Sequence, residues 1–478
     1  MRGRRLWIAV LCLPACLAPM ANGQNAGPTN QTAREIFKQL IEINTTDSVG
    51  NVTTAAEAMA KRLRDAGFPE QDIIVAGPNE RKKNLVARIH GTGKRKPILF
   101  IGHLDVVEAR REDWTTDPFE FIEKDGYFYG RGTEDMKEGD AILVTNFIRL
   151  KKEGFTPDRD LILALTADEE GGNYNGVDWL AKEHRDWIDA QYSINLDGGE
   201  FEKDKGKRLL AGIQAGEKVY ADYQFESLNP GGHSSLPSPD NAIYHLAEAL
   251  TRLQSFSFPV KIDEITRNYF EQTAKIATGQ VAADLRAAAK QPPDHAAIQR
   301  LSANPYYNSL LHTTCVATLL TGGHAPNALP QMARANVNCR IFPGEDPEEV
   351  RKTLERVAGD PKVAVTVVPE KTADGKLIPQ VSVPPSPLLP ELTSALERTL
   401  NVVWPGVPVV PTMSTGATDG KFLRIAGIPT YGISCMFFEM DDTRAHGKDE
   451  RVGVQDFYDG VEFNYKFIKE LALAHGEM

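Results

Sequence analysis

The hydrophobic pattern changes character twice along the chain. In the first part, short continuous apolar runs alternate with segments of helical spacing. Residues 54–68 put Ala and Leu on one face and Lys, Arg and Asp on the other, which predicts an amphipathic helix. Asn84–Ile89 and 97–101 read as strands. Ile98, Leu99, Phe100 and Ile101 are all apolar, as in a strand covered on both faces. A helix is predicted over 136–153, a buried strand over Leu161–Thr166, a helix over 177–183 and a strand over 192–196. Strands alternating with helices predict an α/β fold with a mostly parallel sheet.

Beyond residue 211 the period shifts. Val219, Ala221, Tyr223 and Phe225 alternate with polar residues, and so do Ala333, Ala335, Val337, Cys339 and Ile341. Both stretches predict half-exposed strands. Ala242, Ile243, Leu246, Leu250 and Leu253 have helical spacing; 348–357 predicts a charged amphipathic helix and Val363–Val368 a strand. A sheet with helices on one face is an α+β solution. The expectation is therefore an inserted domain over 212–380, with a helical stretch at 261–323 inside it. Pro384, Pro385 and Pro387 mark the linker back. Helices over 388–402 and 457–473 and a strand over 428–435 then complete the first domain, which is discontinuous: 24–211 and 381–478.

A chain of 478 residues, 41% apolar and 25% charged, suits two globular domains. Its net charge of −11 argues against nucleic acid and against a polybasic membrane surface. Arg2, Arg4 and Arg5, the apolar stretch 6–17 and Ala21-Asn22-Gly23 form a secretory signal peptide over 1–23, so an exported, periplasmic or secreted protein is expected. Leu13–Cys16 loosely resembles a lipoprotein box, but Pro14 fits a lipid anchor badly. No later run reaches the roughly 18 apolar residues of a transmembrane helix. After the signal only Cys315, Cys339 and Cys435 remain, so at most one bridge forms and a thiolate zinc site is not expected.

Ligands of parallel sheets bind at the carboxyl ends of the strands. There the sequence offers Gly102-His103-Leu104-Asp105, Asp168-Glu169-Glu170-Gly171-Gly172, Asp197-Gly198-Gly199 and Ala445-His446-Gly447, with Asp135 opening a helix. Each alone has an ordinary reading: a strand-end His, a solvated acidic turn, a helix cap. Together, two imidazoles and several carboxylates match the donor set of a two-metal hydrolytic site.

Three further segments carry a resemblance: Gly102–Val107, Trp114 to Phe119, and Tyr129-Gly130-Arg131-Gly132 leading to Asp135-Met136-Lys137. With the later motifs in order, ending at His446-Gly447-Lys448-Asp449-Glu450-Arg451, the chain resembles the aminoacylase, glutamate carboxypeptidase and carboxypeptidase S family of co-catalytic zinc exopeptidases. The carboxypeptidase S branch is the most similar.

The resemblance implies a zinc-exopeptidase-like α/β catalytic domain with an inserted α+β lid that serves as a homodimer interface. It implies two divalent ions, Zn²⁺ with Co²⁺ or Mn²⁺ as alternatives. Asp135 would bridge them, with His103 and Asp197 on one and Glu170 and His446 on the other. Glu169 would be the general base, and Asp105 would hold the His103 imidazole in its tautomer. From the lid, His233 would stabilise the oxyanion, while Asn327 and Arg340 contact the substrate, Arg340 through its carboxylate. Arg340 is expected to have no acidic neighbour on its strand face, only Asn338 and Asn336. Gly416 and Thr418 belong to a segment similar to the family's substrate loop, in which Ala417 replaces a glycine. The implied activity is hydrolysis of an amide bond next to a free C-terminal carboxylate, by an exopeptidase of carboxypeptidase or dipeptidase type. The alternatives are an N-acyl-amino-acid amidohydrolase and, more remotely, an inactive binding protein on the same fold.

Overall fold

The computed structural model describes residues 27–371, 377–378, 381 and 383–473. The signal expected over 1–23 lies outside the described residues. Ten strands form one sheet. Its order is Ile73–Ala76, Asn84–Ile89, Leu161–Thr166, Ile98–His103, Tyr192–Asn195, Thr430–Gly432, Lys207–Glu217, Phe201–Asp204 and Phe437–Glu439, with Val409–Ser414 paired to Lys207–Glu217. The four strands from Leu161–Thr166 to Thr430–Gly432 run parallel. Ile98–His103 and Leu161–Thr166 are buried at every position. Alternation explains why: Ile98 and Phe100 join a core with Phe147 and Ile142, while Leu99 and Ile101 face Val177, Leu180 and Leu423 on the other side.

A second, four-stranded antiparallel sheet has the order Thr314–Gly322, Met332–Ile341, Val219–Leu228 and Val363–Val368. Helices Ala242–Gln254 and Pro347–Ala358 cover one face, burying Leu246, Val350 and Leu354 against Tyr223, Phe225 and Val337. A disulfide joins Cys315 and Cys339 on neighbouring strands, and Cys435 is a buried free thiol.

Three details differ from the sequence expectation. The stretch 261–323 is not one helical part of the inserted unit. Its helices Glu264–Ile276, Gly279–Ala288, His295–Ser302 and Pro305–Leu311 bury Ile265, Phe270, Leu285 and Leu311 in the core of the large sheet. Its end, Thr314–Gly322, is the edge strand of the small sheet. Strand Lys207–Glu217, which the apolar pattern does not announce, belongs to the large sheet and continues beyond residue 211. Finally, the strand expected over 428–435 shrinks to Thr430–Gly432; Cys435, at φ 66°, turns the chain toward the separate strand Phe437–Glu439.

Candidate metal centre

The ends of the parallel strands converge on two overlapping triads, His103–Asp135–Asp197 and Asp135–Glu170–His446. Asp135 is common to both: its Oδ1 is 3.2 Å from His103 Nε2 and its Oδ2 is 3.0 Å from His446 Nε2. His446 Nε2 also lies 2.9 Å from the Glu170 carboxylate. The five residues named from the sequence as ligands are thus brought together.

Local structure positions His103, Glu170 and Asp197. His103 is the last residue of its strand and is buried, with Nδ1 3.1 Å from the Asp105 carbonyl oxygen. The Asp105 carboxylate stands 3.7 Å from that nitrogen and instead accepts the backbone N–H groups of Glu169 (3.1 Å) and Glu170 (3.0 Å). Asp105 therefore orients the ring through its main chain and the acidic turn through its side chain. Asp168, which begins that turn at φ 58°, is anchored by a buried ion pair with Lys82 and by the Tyr174 N–H. Gly172, at φ 105°, leaves space that a Cβ would lose, since it would come within 2.4 Å of the Asp168 carboxylate. Asp197 follows Asn195, whose side chain accepts the Asp197 N–H and donates to its carbonyl.

The centre concentrates negative charge. Burial and then repulsion from Asp197 push the Glu169 carboxyl well above its usual range. Burial and then Asp135 do the same to Asp197, and burial raises Glu170. Burial acts on Asp135 in the same direction, but hydrogen bonds with His103 and His446 outweigh it and hold this carboxyl below the usual range. Contact with Asp135 and Glu170 raises His446 to about 10. Two imidazoles and three carboxylates in two triads are the donor set of a pair of divalent cations, and cations there offset the carboxylate repulsion.

The residues expected to serve from the small sheet and the loop are not gathered here. His233 and Asn327 are exposed and lie together in a two-stranded ribbon, where the Ser234 N–H bonds the Asn327 carbonyl. Arg340 is beside the Tyr220 ring, its Cζ 4.9 Å from the centroid. The expectation that it has no acidic neighbour is wrong: Asp222, on the adjacent strand, accepts from both Asn336 and Asn338, and Arg340 helps hold its carboxyl down. The Thr418 hydroxyl donates to Glu217 at 2.8 Å and accepts from Gly420 N–H, within a buried network that includes Arg424. The Gly416 N–H is bonded to Ser414 Oγ, at the edge of the cavity described next.

Sequence reasoning passed over several residues at the centre. Glu450 was visible inside the His446 motif, but nothing signalled that it is buried against the Asp135 loop. Asp419 accepts from Asn175 and Thr166 behind Glu169. A cavity of about 710 Å³ opens beside Asp135 and Asp197 and reaches the helices Glu264–Ile276 and Pro305–Leu311. No periodicity announces it, because its walls come from distant segments.

Comparison with known proteins follows the same outline. The model of Peptidase family M20/M25/M40 matches residues 99–470. The human N-fatty-acyl-amino acid synthase/hydrolase PM20D1 is 27% identical over 400 residues, 78% of this chain and 74% of that protein. A probable carboxypeptidase S-like 2 of Dictyostelium discoideum is 28% identical over 388 residues, 78% of this chain and 71% of that one. Among solved structures, the M20 family metallo-carboxypeptidase Sso-CP2 of Sulfolobus solfataricus superposes with a TM-score of 0.67 at 16% identity, covering 92% of this chain and 99% of that one.

Proposed function

The chain belongs to peptidase family M20/M25/M40 and is a metallohydrolase, and from that premise we propose that it is an exopeptidase of carboxypeptidase or dipeptidase type, cleaving the amide next to a free carboxylate. The observation that carries this reading is the pair of ligand triads sharing Asp135, with Glu169 beside them.

His103, Asp135 and Asp197 would hold one ion, and Asp135, Glu170 and His446 the other. Zn²⁺ suits these donors best, with Co²⁺ and Mn²⁺ as alternatives. Two divalent ions held there would supply polarisation of the scissile carbonyl and acidification of water. Glu169 would accept the proton of the attacking water at its carboxylate and deliver it to the leaving nitrogen. Glu170 would instead hold an ion, in the triad with Asp135 and His446. Asp105 fixes both glutamates through their backbone N–H groups.

The small sheet supports a homodimer. Its edge strand Thr314–Gly322 exposes Val316, Leu319 and Leu320, and Ile243 and Tyr244 are exposed on the adjoining helix. An unpaired apolar edge is a template for a second copy. In such a dimer His233, Asn327 and Arg340 would reach a centre from the partner's lid, Arg340 reading the substrate carboxylate. The basic residues and apolar stretch before residue 24 support export.

A second reading, an N-acyl-amino-acid amidohydrolase, is favoured by the apolar part of the cavity wall, which includes Leu196, Leu210 and Phe438. It matches the activity in the name of the human relative. Metal-loaded protein assayed against dipeptides, C-terminal peptides and N-acyl amino acids separates the readings. Turnover of peptides above acyl amino acids supports the first; the reverse order supports the second. No turnover of any free-carboxylate amide sinks both.

A further inference from the structure

His446 is exposed, whereas the other four candidate ligands are buried or half-buried. It lies in the loop between strands Phe437–Glu439 and Arg451–Gly453. Its side chain is 55% exposed, against 2% for His103. The Gly447 N–H bonds the Arg444 carbonyl at 2.8 Å, which closes a tight turn with His446 in its third position, at φ 62°. A turn that needs positive φ at that position ordinarily takes Gly or Asn. A histidine keeps such a conformation when its surroundings fix it.

The loop is anchored on both sides of the histidine. Beyond it, Asp449 accepts the Thr115 N–H and hydroxyl at 2.8 Å each, and Glu450 accepts the Asp135 N–H. Before it, Glu134 Oε2 accepts the Arg444 N–H at 2.7 Å. The Arg444 side chain bonds Asp442 and the Asp449 carbonyl, which braces the loop internally without placing it against the centre. Arg131 reaches the His446 carbonyl only at 3.4 Å, a weak bond. The Glu134 carboxylate thus ties the first residue of the histidine's turn to the chain neighbour of Asp135, whose Oδ2 is 3.0 Å from His446 Nε2. Asp135 itself does not depend on that carboxylate, because Glu450 holds the N–H groups of Glu134 and Asp135.

We infer that Glu134 is a positioning residue for one ion of the pair: its side chain sets His446 against Asp135 and Glu170, and so governs affinity at that triad while leaving His103–Asp135–Asp197 intact. This rests on the two-ion reading above and makes the two ions separable by a single side chain. A bare negative charge beside the centre would act on both ions, since they share Asp135, whereas a hydrogen bond to the histidine's turn acts on one.

The test titrates Zn²⁺ into chelator-stripped wild type, Glu134→Ala and Glu134→Gln by calorimetry, with elemental analysis after dialysis at a fixed free Zn²⁺ concentration. Wild type should take up two ions. Glu134→Ala should keep one at wild-type affinity and bind the other about 10–100-fold more weakly, and the ion it keeps reports that it is folded. Glu134→Gln retains an acceptor oxygen but no charge and should recover most of that loss. With excess Zn²⁺ the kcat of Glu134→Ala should return, while its Zn²⁺ concentration for half-maximal turnover rises by the same factor as the dissociation constant. Equal weakening of both ions, or unchanged binding in Glu134→Ala, overturns the inference. A Glu134→Gln protein as weak as Glu134→Ala assigns the effect to charge and overturns it too; this variant has the size of the native side chain, so it decides the matter even where Glu134→Ala does not fold. Wild type that binds one ion or none sinks the two-ion reading itself.

Discussion

Glu450 Oε1 accepts the backbone N–H of Asp135 at 3.1 Å, and the same oxygen accepts those of Gly132 at 3.1 Å and Glu134 at 2.7 Å. The other carboxylate oxygen pairs with buried Arg131. One side chain, 315 residues away in sequence, therefore gathers the N–H groups of the loop that carries the shared ligand. Burial pushes Glu450 up to about 7 while Arg131 opposes the shift.

This arrangement makes Glu450 a positioning residue. Glu450→Ala leaves three N–H groups without their acceptor and should weaken metal affinity by about 10–100-fold, as loss of a supporting hydrogen bond around a metal does. Glu450→Gln keeps an acceptor oxygen and should lose less. Competition with a chromophoric chelator measures both. Unchanged affinity in Glu450→Ala would mean that the loop holds Asp135 without help.

The neighbouring glutamates should separate by phenotype. Glu169→Gln keeps the size of the side chain but accepts no proton, so metal content should persist while kcat falls by about 10²–10⁴. Glu170→Gln should release metal before it affects anything else. Elemental analysis alongside steady-state kinetics checks the split; equal metal loss in both variants contradicts it.

A pH effect is expected where the chain leaves the large sheet. Lys218 is fully buried and donates to the His312 carbonyl oxygen, and burial lowers its pKa from 10.5 to about 7. Between those values the unfolded chain binds more protons than the folded one, so this residue's contribution rises with pH across the window and is lost as pH falls toward the lower value. Relative to Lys218→Met, the wild-type Tm should therefore improve as pH rises from about 7 to about 10. Parallel Tm curves for the two proteins would show that Lys218 does not titrate in that window.

The exposed edge strand gives a prediction about assembly. Leu320 is 68% exposed on Thr314–Gly322. Leu320→Lys puts a charge on that edge and should convert a dimer to a monomer in sedimentation. Activity should fall with it if the partner's lid completes the centre. A wild-type monomer at micromolar concentration would reject the dimer.

The candidate metal centre was largely legible in the sequence because two of its candidate ligands, His103 and Glu170, stand at or just beyond the ends of strands whose apolar runs are unbroken. Ile98–His103 and Leu161–Thr166 announce themselves, and the residues beyond them are polar for no packing reason. The small sheet was legible through its period-two alternation at Val219–Leu228 and Met332–Ile341. What failed depends on contacts between strands and between segments. Asp222 is two residues from Tyr220 in sequence, but only strand pairing puts it among Asn336, Asn338 and Arg340. The helices 264–311 have ordinary amphipathic faces, and nothing local says which of two cores they cover. The cavity they complete was invisible for the same reason.

The most direct test is the metal content and turnover of wild-type protein beside Asp135→Ala. Asp135 faces both imidazoles, at 3.2 Å and 3.0 Å. Wild type should bind two divalent ions per chain and hydrolyse a free-carboxylate amide only when loaded, and Asp135→Ala should hold neither ion and turn over nothing. An Asp135→Ala protein that keeps two ions and its activity would contradict a shared-ligand centre outright.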